Sequence, residues 1–454
     1  MRKYFGTDGI RSVANTELTP ELAYRVAKAG AYVLAKHSDH RPVILIGRDT
    51  RISGTLIESS MISGFLSYGA DVKLLGVMPT PAVAYLTKKL EADSGVVISA
   101  SHNTYEFNGI KFFSNKGMKL SDEIEEEIEE MMDSGRLGEL NAASDKIGVA
   151  ENREDLMLEY IEMLIGIFSE GIKKYDRDDF VVGIDVSNGA TYKAAKEVFE
   201  RLGVKHTIIN NEPDGININE KCGSTHLEGI QKFVVDNKLS LGVAYDGDGD
   251  RCLIIDDLGN LVDGDMLLAV FAKYLREKGK LKKDTIVATI MSNMGLGKFA
   301  KENNFTLAQT KVGDRYVLEE MIKEGYNIGG EQSGHIILLD YNPTGDGILT
   351  SLMLIQILLE KNIPISELCG IMKSYPQVVV NAKVSNDKKS GYESNERIKK
   401  AIEELTKEFV DNGRVVIRPS GTEPVIRVMI EGEDKQYIDE KAKELAKILE
   451  EELN

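Results

Sequence analysis

Val43-Ile-Leu-Ile-Gly-Arg-Asp-Thr-Arg-Ile-Ser-Gly54 opens with a β-branched run and passes into a polar, glycine-containing loop. Residues Thr55 to Tyr68 then carry helical periodicity, and Val72-Lys-Leu-Leu75 is apolar again. Strand, crossover helix and strand at this spacing is the signature of a βαβ unit. The pattern returns in Val181-Val-Gly-Ile-Asp-Val-Ser-Asn-Gly189, with a helix over Tyr192 to Leu202 and a run from Val204 to Ile209. A third copy is Thr285-Ile-Val-Ala-Thr-Ile-Met-Ser-Asn-Met-Gly295, then Leu296 to Asn303, then Phe305 to Gln309. Identity between the copies is low, so the pattern is a shared architecture and not a solenoid repeat.

The C-terminal part has a different rhythm. Pro376 to Val384 reads as a strand, Glu396 to Asp411 as a charged helix, Arg414 to Ile430 as two strands around a tight loop, and Gln436 to Glu451 as a closing helix. That pattern suggests a small α+β domain. Boundaries near Glu151, Leu253 and Cys369 divide the 454 residues into 1–151, 152–253, 254–368 and 369–454. The run Asp122 to Asp133 is densely acidic; Ile124, Ile128 and Met131 recur at helical spacing, so it reads as a surface helix with a solvated acidic face.

Bulk properties narrow the function. A formal net charge of −17 argues against a general nucleic-acid surface, but not against a small anion held in one cationic cleft. No apolar run approaches the ~20 residues of a membrane helix, and Met1-Arg-Lys-Tyr-Phe-Gly6 lacks the apolar core of a signal peptide. Cys222, Cys252 and Cys369 form neither a disulfide framework nor a zinc pattern, so the expected setting is the reducing cytoplasm.

Two loops carry the chemistry. Ser99-Ala-Ser101-His102-Asn103 presents a hydroxyl just after the apolar run Gly95-Val-Val-Ile98. Asp246-Gly-Asp248-Gly-Asp250-Arg251 offers three alternate carboxylates spaced by glycines, oxygen ligands of the kind Mg²⁺ takes. An EF-hand is disfavoured, because its loop needs glycine at the sixth position, here Arg251, and the preceding Leu241–Tyr245 reads as a strand and not an entering helix. A hydroxyl nucleophile beside a hard-cation site suggests phosphoryl transfer, with Ser101 carrying the phosphate. The alternative for Ser101 is a serine that caps a turn; for the aspartates, a structural turn. Lys111, in Asn108-Gly-Ile-Lys111-Phe-Phe113, is either a base, a phosphate cation or an exposed strand lysine. The chain has no Gly-x-Ser-x-Gly elbow, Walker loop or dinucleotide fingerprint.

Three further stretches are weaker alone. Arg418-Pro-Ser-Gly-Thr-Glu-Pro424, with Arg427, offers guanidinium forks, the hydroxyls of Ser420 and Thr422 and the backbone of Gly421; it is an anion nest or an ordinary turn. Gly329-Gly-Glu331-Gln-Ser333-Gly-His335 can meet sugar hydroxyls and exchange a proton, though a core histidine reads the same way. Phe5-Gly-Thr-Asp-Gly-Ile-Arg11 adds a candidate cation.

Taken in this order, from Phe5 to Arg427, the five elements resemble the α-D-phosphohexomutase superfamily. The resemblance implies three related α/β domains with mixed sheets and a smaller C-terminal α+β domain. It implies a phosphoserine at Ser101 and Mg²⁺ held by Asp246, Asp248, Asp250 and the Ser101 phosphate. It places Glu331 and Ser333 on sugar hydroxyls, and Arg418, Ser420, Gly421, Thr422 and Arg427 on the non-reacting phosphate. Arg11, Lys111, Arg251 and His335, with His102 beside the nucleophile, would serve charge stabilisation and proton transfer. Within the superfamily, Phe5 to Arg11, Lys311-Val-Gly-Asp-Arg-Tyr-Val317 and Gln332 between the sugar ligands are similar to the amino-sugar branch. That branch interconverts glucosamine 6-phosphate and glucosamine 1-phosphate through glucosamine 1,6-bisphosphate, as supply for UDP-N-acetylglucosamine and cell-wall precursors. A mannose or glucose phosphate mutase and a non-catalytic phosphosugar sensor stay open, as does a homodimer. Two departures are Ser12, where glycine is usual, and Thr104, where proline is usual.

Overall fold

The computed structural model describes residues 3–6, 8–36, 38–175, 177–410, 412–420 and 424–453. The chain forms two compact units, Met1–Thr289 with Ala308–Gly370, and Ile290–Leu307 with Ile371–Asn454.

The first unit contains sheets built on the βαβ runs. The strands Val43–Arg48, Asp71–Val77 and Ser94–Ile98 are parallel, while Phe107–Ser114 and Ile10–Val13 add on antiparallel. The helix Gly54–Tyr68 makes the first crossover and ends on Gly69, whose φ of 101° closes the helix in the left-handed region. The second sheet repeats the plan. Val181–Asp185, Lys205–Ile209 and Leu241–Tyr245 are parallel, and Cys252–Ile255 returns antiparallel. In the third, Thr285–Thr289 runs parallel to Ile328–Gly330, which pairs antiparallel with Ile336–Leu338. Strands covered on both faces read as continuous apolar runs, which is why Ser94–Ile98 and Leu241–Tyr245 are buried at every residue. Both point their C-terminal ends at a functional loop. Among the described residues no single helix is long and apolar enough to cross a membrane.

The acidic helix corrects the sequence reading. Asp122–Asp133 is a helix, but Glu125 and Glu129 are buried along with Ile128 and Met132. The Glu129 carboxylate accepts the backbone N–H groups of Lys3, Tyr4 and Phe5 at 2.6–2.7 Å. An acid that satisfies three N–H donors does not need solvent, and no helical periodicity foretells a partner more than a hundred residues away.

The second unit holds a three-stranded antiparallel sheet. Val425–Gly432 lies between Gln377–Lys383 and Gly413–Pro419. The helices Glu396–Glu408 and Lys435–Leu453 supply Ile398, Leu405, Ile438, Ala442, Leu445 and Leu449 to its core.

Candidate active site

Ser101 sits one turn beyond the strand Ser94–Ile98, 1% exposed and with φ of 50°. That left-handed backbone costs a non-glycine residue about 1–2 kcal/mol. The surrounding structure holds it there. Arg51, buried, donates through Nη2 to Ser101 O at 3.0 Å and Asn103 O at 2.7 Å, and through Nη1 to Thr104 O. Asp49 fixes that guanidinium at 2.8 Å and accepts the Ser99 hydroxyl at 2.5 Å, which in turn accepts the Ser101 N–H at 2.9 Å. Asn219 Nδ2 reaches the same carbonyls of Ser101 and Asn103.

So held, Ser101 Oγ donates to Asp246 Oδ2 at 2.6 Å. The aspartates occupy the connection between the antiparallel strands Leu241–Tyr245 and Cys252–Ile255, with Gly249 at φ 73° making the turn. One carboxylate oxygen from each of Asp246, Asp248 and Asp250 lies within 4.8 Å of the others, and all three residues are buried. Asp248 Oδ1 and Asp250 Oδ1 are buried without a hydrogen-bond partner. Burial and the carboxylates of Asp250 and Asp248 push the Asp246 carboxyl well above its usual range. Three crowded carboxylates with orphaned oxygens form a site that fits a hard divalent cation.

Cations line the rest. Lys111, on the strand Phe107–Ser114, lies 2.8 Å from Asp248 Oδ2 and 3.0 Å from Asp8 Oδ2. Burial alone would lower its ammonium, but Asp248, Asp8 and Asp250 outweigh that and raise it. Lys111 is thus a fixed positive charge. Arg11 pairs with Asp8 at 2.9 Å and reaches Asn103 Oδ1 at 3.3 Å. Arg251 Nε is 3.8 Å from Asp250, buried and without a hydrogen bond. His102 Nδ1 is 3.4 Å from Ser101 Oγ; burial, then Arg251 and Arg11, push its imidazole down to about 4, so it is neutral near pH 7.

The sugar-side loop is tied in behind. His335 lies 3.6 Å from Asp250, and the Gly345 N–H donates to its Nε2 at 3.0 Å. Glu331 Oε1 accepts the Gly313 N–H at 3.2 Å, while Ser333 Oγ is buried with no partner. Gln332 donates to Asp263 Oδ2 at 3.0 Å, at the N-cap of the helix Gly264–Glu277. This bond ties the loop to that helix.

In the second unit Arg418 and Arg427 are directly opposed on neighbouring strands. Ser420 N donates to Val425 O at 3.0 Å, and Lys389 Nζ donates to Ser420 O at 2.7 Å. Gly421 and Thr422 lie outside the described residues. Ser101, His102, Arg11, Lys111, Asp246, Asp248, Asp250, Arg251, Glu331, Ser333 and His335 all belong to the first unit. Sequence reading missed Asp8, Asp49, Arg51, Lys119, Asn219, Asp314 and Lys389. Arg51 and Asp49 stood in the quoted Val43–Gly54 loop, and Asp314 in the Lys311–Val317 motif, so the signal was there without a role.

The sequence matches phosphoglucomutase/phosphomannomutase domains in four consecutive segments. These are α/β/α domain I over residues 2–139, domain II over 158–259, domain III over 263–375 and the C-terminal domain over 379–448. The chain belongs to the phosphoglucomutase/phosphomannomutase family. Its architecture is that of the family, three α/β domains and a smaller C-terminal one. Phosphoglucosamine mutase of Ruminiclostridium cellulolyticum is 52% identical over 453 residues, 99% of each chain. A family protein from Burkholderia thailandensis has the same fold, with a TM-score of 0.81 at 21% identity over 98% of this chain and 96% of that one. So does Aspergillus fumigatus N-acetylphosphoglucosamine mutase, in complex with GlcNAc-6P and magnesium, with a TM-score of 0.73 at 17% identity over 100% and 96%.

Proposed function

We propose that the chain interconverts glucosamine 6-phosphate and glucosamine 1-phosphate, through a phospho-Ser101 enzyme and glucosamine 1,6-bisphosphate. The observation that carries this is the Ser101 hydroxyl, held 2.6 Å from Asp246 at the mouth of a three-carboxylate cluster. Full-length relatives at about half identity bear the name phosphoglucosamine mutase, which supports the amino sugar as substrate. The work is divided over residues 1–151, 152–253, 254–368 and 369–454. These carry in turn the phosphoserine, the carboxylates, the sugar loop and the arginine loop.

In the first half-reaction the P–Oγ bond of phospho-Ser101 breaks. A new P–O bond forms to the free sugar hydroxyl, whose proton leaves to a neighbouring base. The bisphosphate turns around, and its other phosphoryl group returns to Ser101 Oγ. Mg²⁺ held by Asp246, Asp248 and Asp250, with the Ser101 phosphate, would neutralise the oxygens that gain charge in a loose transition state. Lys111, Arg11 and Arg251 add fixed positive charge from this chain. Neutral His102 and the buried His335 are the groups able to take and return the hydroxyl proton. Glu331 and the partnerless Ser333 hydroxyl hold the sugar, while Arg418, Arg427, Ser420, Gly421 and Thr422 hold the phosphate that is not reacting. A substrate without membrane or nucleic-acid character suits a cytoplasmic enzyme.

The test is kcat/KM with Mg²⁺ on glucosamine 6-phosphate against glucose 6-phosphate and mannose 6-phosphate. A preference of tenfold or more for the amino sugar, about 1.4 kcal/mol, supports the assignment. A preference for glucose or mannose keeps the mechanism and replaces the substrate. Turnover without any Ser101 phosphorylation refutes the scheme.

A further inference from the structure

Lys111 and His335 are joined behind the site by a chain in which basic and acidic side chains alternate. Lys111 Nζ is 3.0 Å from Asp8 Oδ2, and Asp8 Oδ1 is 2.5 Å from Lys119 Nζ. Lys119 Nζ is 2.6 Å from Asp314 Oδ2, and that oxygen is 3.3 Å from His335 Nε2. His335 Nδ1 and Lys111 Nζ both face Asp250 Oδ2, at 3.6 and 3.8 Å, so the chain closes into a ring of six residues. Their side chains are at most 25% exposed. Charges this far from solvent are poorly screened, and each fixes its neighbours.

Asp8, Lys111 and Asp250 carry motifs already assigned to the site. Lys119 lies outside every such motif, and Asp314 stands in Lys311–Val317 with no role assigned to it. The segment around Asp314 is nonetheless a joint. Gly313 N–H holds Glu331 at 3.2 Å, Asp314 holds Lys119, and Arg315 Nη1 donates to Leu120 O at 3.1 Å. It thus links the segment that follows the Lys111 strand to the loop that carries Glu331 and His335.

We propose that Lys119 and Asp314 are positioning residues for phosphoryl transfer, acting through Asp8 and His335 to keep Lys111 and the sugar loop in register. This rests on the mutase reading. Without Lys119, Asp8 has only Lys111 and Arg11 as cationic partners and draws Lys111 from the carboxylate cluster. Without Asp314, Lys119 has Asp8 alone and His335 loses a neighbour. A displacement of this kind, on the order of 1 Å, costs up to about a hundredfold in rate.

The experiment uses the full chain with Mg²⁺ and glucosamine 6-phosphate. It compares Lys119→Met, Asp314→Asn and the conservative Lys119→Arg. Lys116→Met, an exposed neighbour on the same loop, is the control. Thermal melting reports folding, and intact mass reports the phospho-Ser101 fraction by which kcat is normalised. The expected result is a kcat lowered about ten- to a hundredfold in Lys119→Met and Asp314→Asn, with KM within about threefold and activity restored in Lys119→Arg. Wild-type kcat in either folded variant overturns the proposal. So does failure of all three to fold, because the ring is then structural alone. A wild-type chain with no mutase activity removes the function as well; an active wild type with unaltered variants removes this proposal only.

Discussion

Arg51 and Asn219, 168 positions apart in sequence, donate to the same two carbonyl oxygens, those of Ser101 and Asn103. The donors are side chains from the Val43–Gly54 loop and from the segment that follows Lys205–Ile209, and what they hold is a backbone in the left-handed region at Ser101. Strain at the nucleophile is thereby offset by hydrogen bonds from elsewhere. Asn219→Ala removes two of those bonds from a buried site and is expected to cost about 1–3 kcal/mol of stability. Arg51→Lys breaks a planar fork that meets three carbonyls and is expected to cost more. Thermal melting of both variants, with phospho-Ser101 content by intact mass, checks this. Full stability with full phosphorylation in Arg51→Lys would show that the clamp is idle.

Gly247 gives a sharper probe of the same place. A Cβ there would stand 2.5 Å from Ser101 O and 2.7 Å from Asn219 Nδ2. Neither atom can retreat without loosening the other. Gly247→Ala is therefore expected to fold with lowered stability and to lose at least about tenfold in kcat. An active alanine variant would mean that the two loops part more easily than their contacts imply.

These contacts explain what the sequence could and could not disclose. The Ser101 and Asp246–Arg251 loops were legible because their chemistry is contiguous, with hydroxyl, carboxylates and glycines within a few residues. The βαβ runs were legible for the same reason, since a strand buried on both faces leaves an unbroken apolar signal. Arg51, Asn219, Lys119 and Asp314 were not, because each becomes functional through partners tens to hundreds of residues away. The acidic helix has the solvated face its spacing implies, with Glu123, Glu126, Glu130 and Asp133 exposed, but Glu129 lies off it. Glu129 looked like one more solvated acid until the N-terminal backbone closed over it. Ser420 stands in a motif the sequence singles out, while Lys389, which donates to its carbonyl, does not.

The carboxylate cluster trades stability against function. Asp246 is buried beside Asp250 and Asp248, which together with burial favour its neutral form, so a neutral amide fits the metal-free site. Asp246→Asn is expected to match or exceed the metal-free wild type in melting temperature while losing mutase activity. Mg²⁺ is expected to raise the melting temperature of the wild type and not that of the variant, because a ligand that binds only the folded state stabilises it. Melting curves with chelator and with a Mg²⁺ titration measure both effects. An equal Mg²⁺ response in the variant would place the cation elsewhere.

Opposed arginines pose a similar question in the second unit. Like charges directly across a strand pair are destabilising, and Arg418 faces Arg427 in register. One anion can meet guanidinium forks from both strands. Inorganic phosphate is expected to raise the melting temperature of the wild type, and Arg427→Met to abolish most of the gain and raise KM for the sugar phosphate about tenfold or more. Unchanged KM would remove these arginines from the substrate.

Glu431 sets a pH dependence in that same unit. Its side chain is fully buried, 2.7–2.8 Å from the Arg414 guanidinium, and it accepts the Met294 N–H at 3.2 Å. Burial outweighs the guanidinium and pushes the carboxyl up to about 7. The folded chain therefore holds this proton more tightly than the unfolded chain, whose glutamate titrates near its ordinary 4.5. Stabilisation from the bound proton is complete below that value and is lost as pH rises through about 7. The full loss is on the order of 3 kcal/mol. Arg414 also donates to Ile290 O at 3.0 Å and Ser292 O at 2.7 Å, so the weakened region includes the Ile290–Leu307 segment. Urea unfolding at pH 5.5 and pH 8 is expected to show this fall in the wild type and a flatter profile in Glu431→Gln, which keeps an acceptor for Met294 and carries no titrating group. A Glu431→Gln chain with the wild-type slope would assign the pH dependence to another residue.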